Sequence, residues 1–219
     1  MRLEKLRATI AYQTGVLAIM ALLVSVALGL ADRGTRDAIA ARRAEDLEAS
    51  LRQVIPDRLY DTDLLGDLVT VPMGPHASPL QIYRARHKGQ VSALAFTVVG
   101  TGYAGPIEAL MGIDPDGRIL GVRVLAHQET PGLGDKIEHR KSDWILAFNG
   151  RSLANPPPPA WRVKKDGGDF DQFTGATITP RAVVQAVKQG LEIFAGHRGR
   201  LLTREPAPGV PSEEVIDGD

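Results

Sequence analysis

The chain contains no cysteine. That absence excludes disulfides, thiolate metal sites, cysteine-held iron–sulfur clusters and cysteine nucleophiles, so any electrons the chain carries must ride on another kind of group. Net charge is lacking too: 26 Lys and Arg balance 26 Asp and Glu, and no basic surplus recommends a nucleic-acid partner. No second histidine stands at metal-ligand spacing from His127, and His76, His87, His139 and His197 are scattered, which gives no zinc-type ligand set. No internal repeat is present. What remains is a chain of 219 residues, long enough for one sizeable core and an appendage.

The appendage is the run Ala8 to Ala31, "ATIAYQTGVLAIMALLVSVALGLA", bounded by Arg7 and Asp32 with no charge inside. At ~1.5 Å per residue it exceeds the ~30 Å hydrocarbon core of a bilayer. Gly29-Leu30-Ala31 is a small-x-small pattern of the kind that ends a signal peptide, but the apolar region is long for one, which favours an uncleaved anchor over residues 8–31. Arg2, Lys5 and Arg7 precede the run and Arg33, Arg36, Arg42 and Arg43 follow it, so flanking charge does not decide orientation. Tyr12 and Gln13 meet neighbouring subunits or the headgroup layer.

Beyond the anchor, residues 32–69 read as a stalk and lead-in, with Ile39, Leu47 and Leu51 on one weakly apolar helical face. An ordinary solvated helix fits that segment equally well. A single folded domain is expected over residues 70–199. Its β-rich runs fall at Val91–Val99, Ile107–Ile113 and Ile119–Leu125, the last two joined by Asp114-Pro115-Asp116-Gly117, which predicts an antiparallel hairpin. A Pro/Gly loop then leads to a short helix carrying Trp144, Ile145 and Phe148, and after "NPPPP" a strand is expected to resume at Trp161 and Val163. A final helix is predicted with Thr179 as its cap, Pro180 at its first position, Val183, Val187, Leu191 and Phe194 on one face, and its end near Gly196. Residues 200–219 read as a disordered acidic tail. The fold class expected is α+β: one transmembrane helix, then an antiparallel sheet with flanking helices.

Two segments stand out once turns and core are accounted for: "HQETPGLGDKI" from His127 and "TGATIT" from Thr174. Each alone reads as a turn leading to a helix start, since Gly175 lets a loop turn and a threonine caps. The second also has the makings of an anion site, because free N–H groups at a helix N-terminus favour a phosphate.

Taken together, in this order and on a chain with one N-terminal apolar helix, these segments resemble the FMN-binding domains of ion-translocating electron-transport complexes, in particular the G subunit of the Rnf (Rsx) type. The resemblance runs from the membrane helix through "GYAGPIEALMGIDPDGRILGVRVLAHQETPGLGDKI" to "DQFTGATITPRAVVQAVK". It implies FMN joined through its phosphate to the hydroxyl of Thr177, the last threonine of a Ser/Thr-Gly-Ala-Thr motif, with Thr174, Gly175, Ala176 and Thr179 around it. It also implies that the loop of Glu129, Thr130, Pro131, Gly132, Leu133 and Gly134 lies against the flavin ring and tunes its potential. Thr174 stands where a serine is more common and keeps the hydroxyl.

The same resemblance implies attachment by a separate flavin transferase using FAD, and an electron carrier that is no catalyst alone within a translocating oxidoreductase. Its partners would be membrane-integral, iron–sulfur and flavin subunits, together with membrane lipid. The chain would sit in a bacterial inner membrane with residues 1–7 cytoplasmic and the domain periplasmic. The rival assignments are the matching subunit of the sodium-translocating NADH:quinone reductase, for which this chain is short, and a membrane-anchored redox sensor, for which no output module is seen. Trp144 and Trp161 are expected in the core or at its rim.

Overall fold

The computed structural model describes residues 10–73 and 79–203. The expected N-terminal segment 1–7 and residues 204–219 of the expected tail lie outside them. The chain divides between Asp46 and Leu47 into two compact units.

In the first unit the backbone is the helix α1 (Ile10–Val54), whose last turns belong to the second. Leu17, Ile19, Leu22, Leu23 and Leu28 are all exposed. Their stretch is long and apolar enough to cross a membrane, and a bilayer is the solvent that suits such a surface, because a helix satisfies its own backbone there. At Ala31 the helix turns polar. Thr35 Oγ1 donates to the Ala31 carbonyl at 2.9 Å, and Arg36 Nε donates to Asp32 at 2.7 Å across one turn.

The second unit is built on a five-stranded antiparallel meander in the order β1-β2-β3-β4-β5. Its strands are β1 (Leu68–Val71), β2 (Leu80–His87), β3 (Gln90–Thr101), β4 (Pro106–Ile113) and β5 (Ile119–Ala126). Side chains alternate between its two faces. On one face Ile82, Leu94, Phe96, Val98, Ile107, Met111 and Val122 meet the helix α2 (Ile178–Leu201) and the segment between β5 and α2. On the other face the small residues Ala85, Ala93 and Ala95 let Leu51 and Val54 of the end of α1, and Ile55 just after it, pack close. Gly112 completes that seat. A side chain there would begin 2.4 Å from the Val54 carbonyl oxygen, so only glycine fits.

Between β5 and α2 the chain forms short 3-10 turns around a core of Ile145, Phe148, Trp161 and Phe170. Phe148 stacks on Phe170 with centroids 4.7 Å apart, and Trp161 Nε1 donates to the Pro156 carbonyl at 3.0 Å. The strand expected at Trp161 and Val163 is a single bridge, Val163 with Phe170. Both residues are buried by side-chain packing rather than by a ladder. Trp161 is core, whereas Trp144 is half-buried with its ring edge on Phe148 and Phe173.

The predicted face of α2 is the observed one: Val183, Val187, Leu191 and Phe194 are buried. Its ends differ from expectation. The cap position is Thr177 and the helix opens at Ile178, which places Thr179 and Pro180 inside the first turn. Proline is accommodated there because the first N–H groups have no intrahelical acceptor. At the other end the helix continues past Gly196 to Leu201. Glycine in a helix costs about 1 kcal/mol, and the complete burial of Leu201 offsets it.

Gly112→Ala is expected to lower stability by about 1–3 kcal/mol, because the added methyl forces the end of α1 away from the sheet. Thermal unfolding followed by circular dichroism would show a midpoint several degrees lower, with the helical signal unchanged at low temperature.

Candidate functional site

Three segments distant in sequence converge on one side chain. Glu129 follows β5, is only 5% exposed, and must find donors for its carboxylate. It accepts the Thr179 hydroxyl through one oxygen and the Ala104 backbone N–H, at 3.1 Å, through the other. Thr179 lies in the first turn of α2 and Ala104 in the turn from β3 to β4. The turn, the loop after β5 and the helix start are thereby joined. The carboxylate fills the space where two neighbouring side chains would stand. A Cβ on Gly102 would lie 2.4 Å from Glu129 Oε1, and one on Gly134 would lie 2.9 Å from both Glu129 Oε2 and Thr179 Oγ1.

The loop after β5 is closed by its own charges. His127 Nδ1 accepts the Glu129 N–H at 3.0 Å, which places the ring proton on Nε2, 2.9 Å from Glu138 Oε1. Lys141 Nζ reaches Glu138 at 2.6 Å and Asp135 at 3.0 Å. The Gly132 backbone N–H, aided by Lys141, holds the Asp135 carboxyl below its ordinary range. Lys141, with His127 second, does the same to Glu138, and the two carboxylates raise Lys141 in return. Between these anchors Thr130, Pro131, Gly132 and Leu133 are exposed and Gly134 is buried.

Facing that loop is the turn Phe173–Ala176, closed by the Ala176 N–H on the Phe173 carbonyl at 3.1 Å. Gly175 occupies its third position with φ +84°, a conformation that favours glycine. Phe173 anchors the turn, 7% exposed and edge-on to Trp144 at 5.1 Å, while Trp144 Nε1 donates to the Asp171 carbonyl at 2.7 Å. Arg181, one turn into α2, makes two bonds of 2.5 and 2.6 Å to Asp166. The Arg181 guanidinium depresses the Asp166 carboxyl. Thr174 is exposed and Thr177 half-buried, and the Thr177 side chain makes no capping bond. Leu133 and Ile178 flank this corner at 45% and 46% exposed, with Leu133 Cδ2 3.6 Å from where a Gly175 side chain would begin.

The two segments singled out in the sequence are therefore neighbours in space. Thr174, Gly175, Ala176 and Thr177 sit on one rim, Thr130 to Leu133 on the other, with Glu129, Gly134 and Thr179 beneath. Glu129 serves Thr179 and Ala104 rather than solvent, and Thr179 is a buried donor instead of a cap. Sequence reasoning gave no site role to Gly102, Ala104, Asp135, Glu138 and Lys141. The three-residue step from Glu138 to Lys141 was a usable signal for an ion pair. Nothing local marks Ala104, because it acts through its backbone.

Residues 102–192, which contain both rims, match the family model of the FMN-binding domain, and this defines the class: an FMN-binding domain behind an N-terminal helix able to span a membrane. A protein from Cereibacter sphaeroides, the G subunit of an ion-translocating oxidoreductase complex, is 50% identical over 191 residues, 87% of this chain and 87% of its own. Its counterpart of the same description from Stutzerimonas stutzeri is 47% identical over 205 residues, 94% of this chain and 90% of its own. The chain belongs to the family of G subunits of ion-translocating oxidoreductase complexes. Among solved structures, NqrC of Shewanella oneidensis is similar with a TM-score of 0.47 and 23% identity, over 69% of this chain and 73% of that one.

The charges of the loop set its response to acid. Asp135 and Glu138 titrate below their ordinary values in the folded chain, so their contribution is complete above about pH 4.3, the unfolded range, and is lost as pH falls further. Lys141→Met is expected to move Glu138 up more than Asp135, since the Gly132 N–H remains. Carboxyl titrations by nuclear magnetic resonance would show the difference, and equal shifts would contradict it.

Proposed function

We propose that this chain is a membrane-anchored flavoprotein subunit that carries electrons between other redox subunits of an ion-translocating oxidoreductase complex, with FMN joined through its phosphate to Thr177. The observation that carries the reading is the state of Thr177. It is half-buried at the N-terminus of a long helix, its side chain makes no capping bond, and it follows the glycine turn whose Gly175 lies beside Leu133 of the exposed loop Thr130–Leu133, all within the segment that matches an FMN-binding domain.

The residues fit such a group. A phosphate ester on Thr177 would lie at the first turn of α2, where free N–H groups and the helix dipole favour negative charge by about 0.3–1 kcal/mol. Gly132 and Leu133 offer backbone groups to a flat ring, Thr130 a hydroxyl at its edge, and Leu133 and Ile178 apolar surface. FMN bound there supplies reversible uptake and release of electrons; the chain holds and orients it.

No hydrogen bond joins the Thr177 hydroxyl to a histidine or carboxylate among the described residues, which suits activation by a separate flavin transferase. In that reaction the Thr177 oxygen attacks the FMN-side phosphorus of FAD, the phosphoanhydride bond breaks, AMP leaves, and the hydroxyl proton passes to a base of the transferase. Residues 8–31 would anchor the chain in the inner membrane with residues 1–7 cytoplasmic, the helix from Asp32 to Asp46 as stalk, and the folded unit that starts at Leu47 periplasmic. There a permanently attached cofactor could not be lost. The partners are the membrane-integral and iron–sulfur subunits of the complex.

Co-expression with a flavin transferase is expected to give a band fluorescent under ultraviolet light in a denaturing gel, and the Thr177 peptide heavier by one FMN less one water. Thr177→Ala should be dark. A dark wild-type band in the presence of an active transferase would refute the covalent carrier.

A further inference from the structure

We propose that Glu129 and Thr179 are positioning residues. Their buried bond sets where Thr177 stands relative to the loop Thr130–Leu133, and so governs both the attachment of the flavin and its potential without either side chain touching the flavin. The inference rests on the reading of Thr177 given above.

Residues two apart on a helix do not share a face. Thr179, 1% exposed, therefore turns inward while Thr177 remains half-exposed. Glu129 in turn immediately precedes Thr130. A hydroxyl–carboxylate bond between Thr179 and Glu129 thus links the two rims through a path of one or two residues on each side. The third arm, from Ala104 N–H to Glu129, ties the pair to the turn between β3 and β4. Slack is taken out of this junction by shape. A methyl on Gly102 or Gly134 would collide with the carboxylate, so the space around it is filled already. His127 removes the remaining freedom by accepting the Glu129 N–H. A further approach between the rims is apolar, with Leu133 Cδ2 3.6 Å from where a Gly175 side chain would begin.

The test uses the full chain in detergent and three variants. Thr179→Val keeps the shape and removes the donor, Thr179→Ser restores the donor, and Glu129→Gln keeps an acceptor while removing the charge. Amide hydrogen exchange of the flavin-free protein is read at residues 130–134 and 174–178 against β3 and β4. The initial rate of flavin attachment, with transferase and FAD, and the midpoint potential of the labelled protein follow.

Thr179→Val is expected to raise exchange in both rims by about tenfold, the order expected for a lost hydrogen bond to a charged group, while β3 and β4 stay unchanged. It should slow attachment by a similar factor and shift the potential. Thr179→Ser should return all three to within about twofold of wild type, and Glu129→Gln should shift the potential even where attachment survives. Should Thr179→Val fail to fold, the serine and glutamine variants decide alone. A labelled wild type whose valine variant matches it in exchange, rate and potential overturns the inference, as does a serine variant that rescues nothing. A wild type that accepts no flavin defeats the reading of Thr177 and takes this inference with it, and that result is distinct from either of the others.

Discussion

A carboxylate taken out of water must be given donors, and in this fold the donors for Glu129 come from two other places in the chain. The Thr179 hydroxyl belongs to the first turn of α2 and the Ala104 N–H to the turn between β3 and β4. Leaving either bond unmade would cost on the order of 1–3 kcal/mol, a large fraction of the margin by which a domain is stable. The helix start, the β-turn and the loop after β5 therefore have one mutual arrangement that satisfies the charge. Gly102 and Gly134 follow from the same requirement, since any side chain at either position would occupy the volume of the carboxylate.

Around this junction the electrostatics are arranged in two layers. Inside, Glu129 is held by neutral donors. Outside, Lys141 balances Glu138 and Asp135, with His127 bridging from the Glu129 N–H to Glu138. The outer pairs are partly exposed and each contributes little by itself. Their effect is to fix both ends of the loop while Thr130 to Leu133 stay open to solvent. On the opposite rim Arg181 and Asp166 perform the same service for the segment leading to Thr174. The apolar frame behind both rims is the face of α2 on the sheet, with the aromatic group of Phe148, Trp161 and Phe170 filling the gap between β5 and α2.

Much of this was legible in the residues. The apolar run of residues 8–31, the runs that became β3, β4 and β5, and the buried stripe of α2 are repeating patterns, and a period of two or of 3.6 survives without tertiary information. The family was legible as well, through "HQETPGLGDKI" and "TGATIT". The start and end of α2 were not. Thr179 and Thr177 are both plausible caps by residue type, and the choice was made by Glu129, fifty positions away. Gly196 reads as a stop until the burial of Leu201 carries the helix past it. Trp161 and Val163 have the composition of a strand, yet no ladder is available to them and they pack as core within irregular chain.

The sequence by itself determined the class of fold, the presence of a span long enough for a bilayer, and which hydroxyl residues stand near a helix start, because local pattern and residue chemistry suffice for each. Only the tertiary structure decided that Thr177 stays half-exposed while Thr179 is buried, that Glu129 is a buried junction, and that the two loops lie beside one another. Those outcomes depend on which groups a buried carboxylate can reach once the sheet has brought them within hydrogen-bond distance, and that distance is not a property of any stretch of sequence.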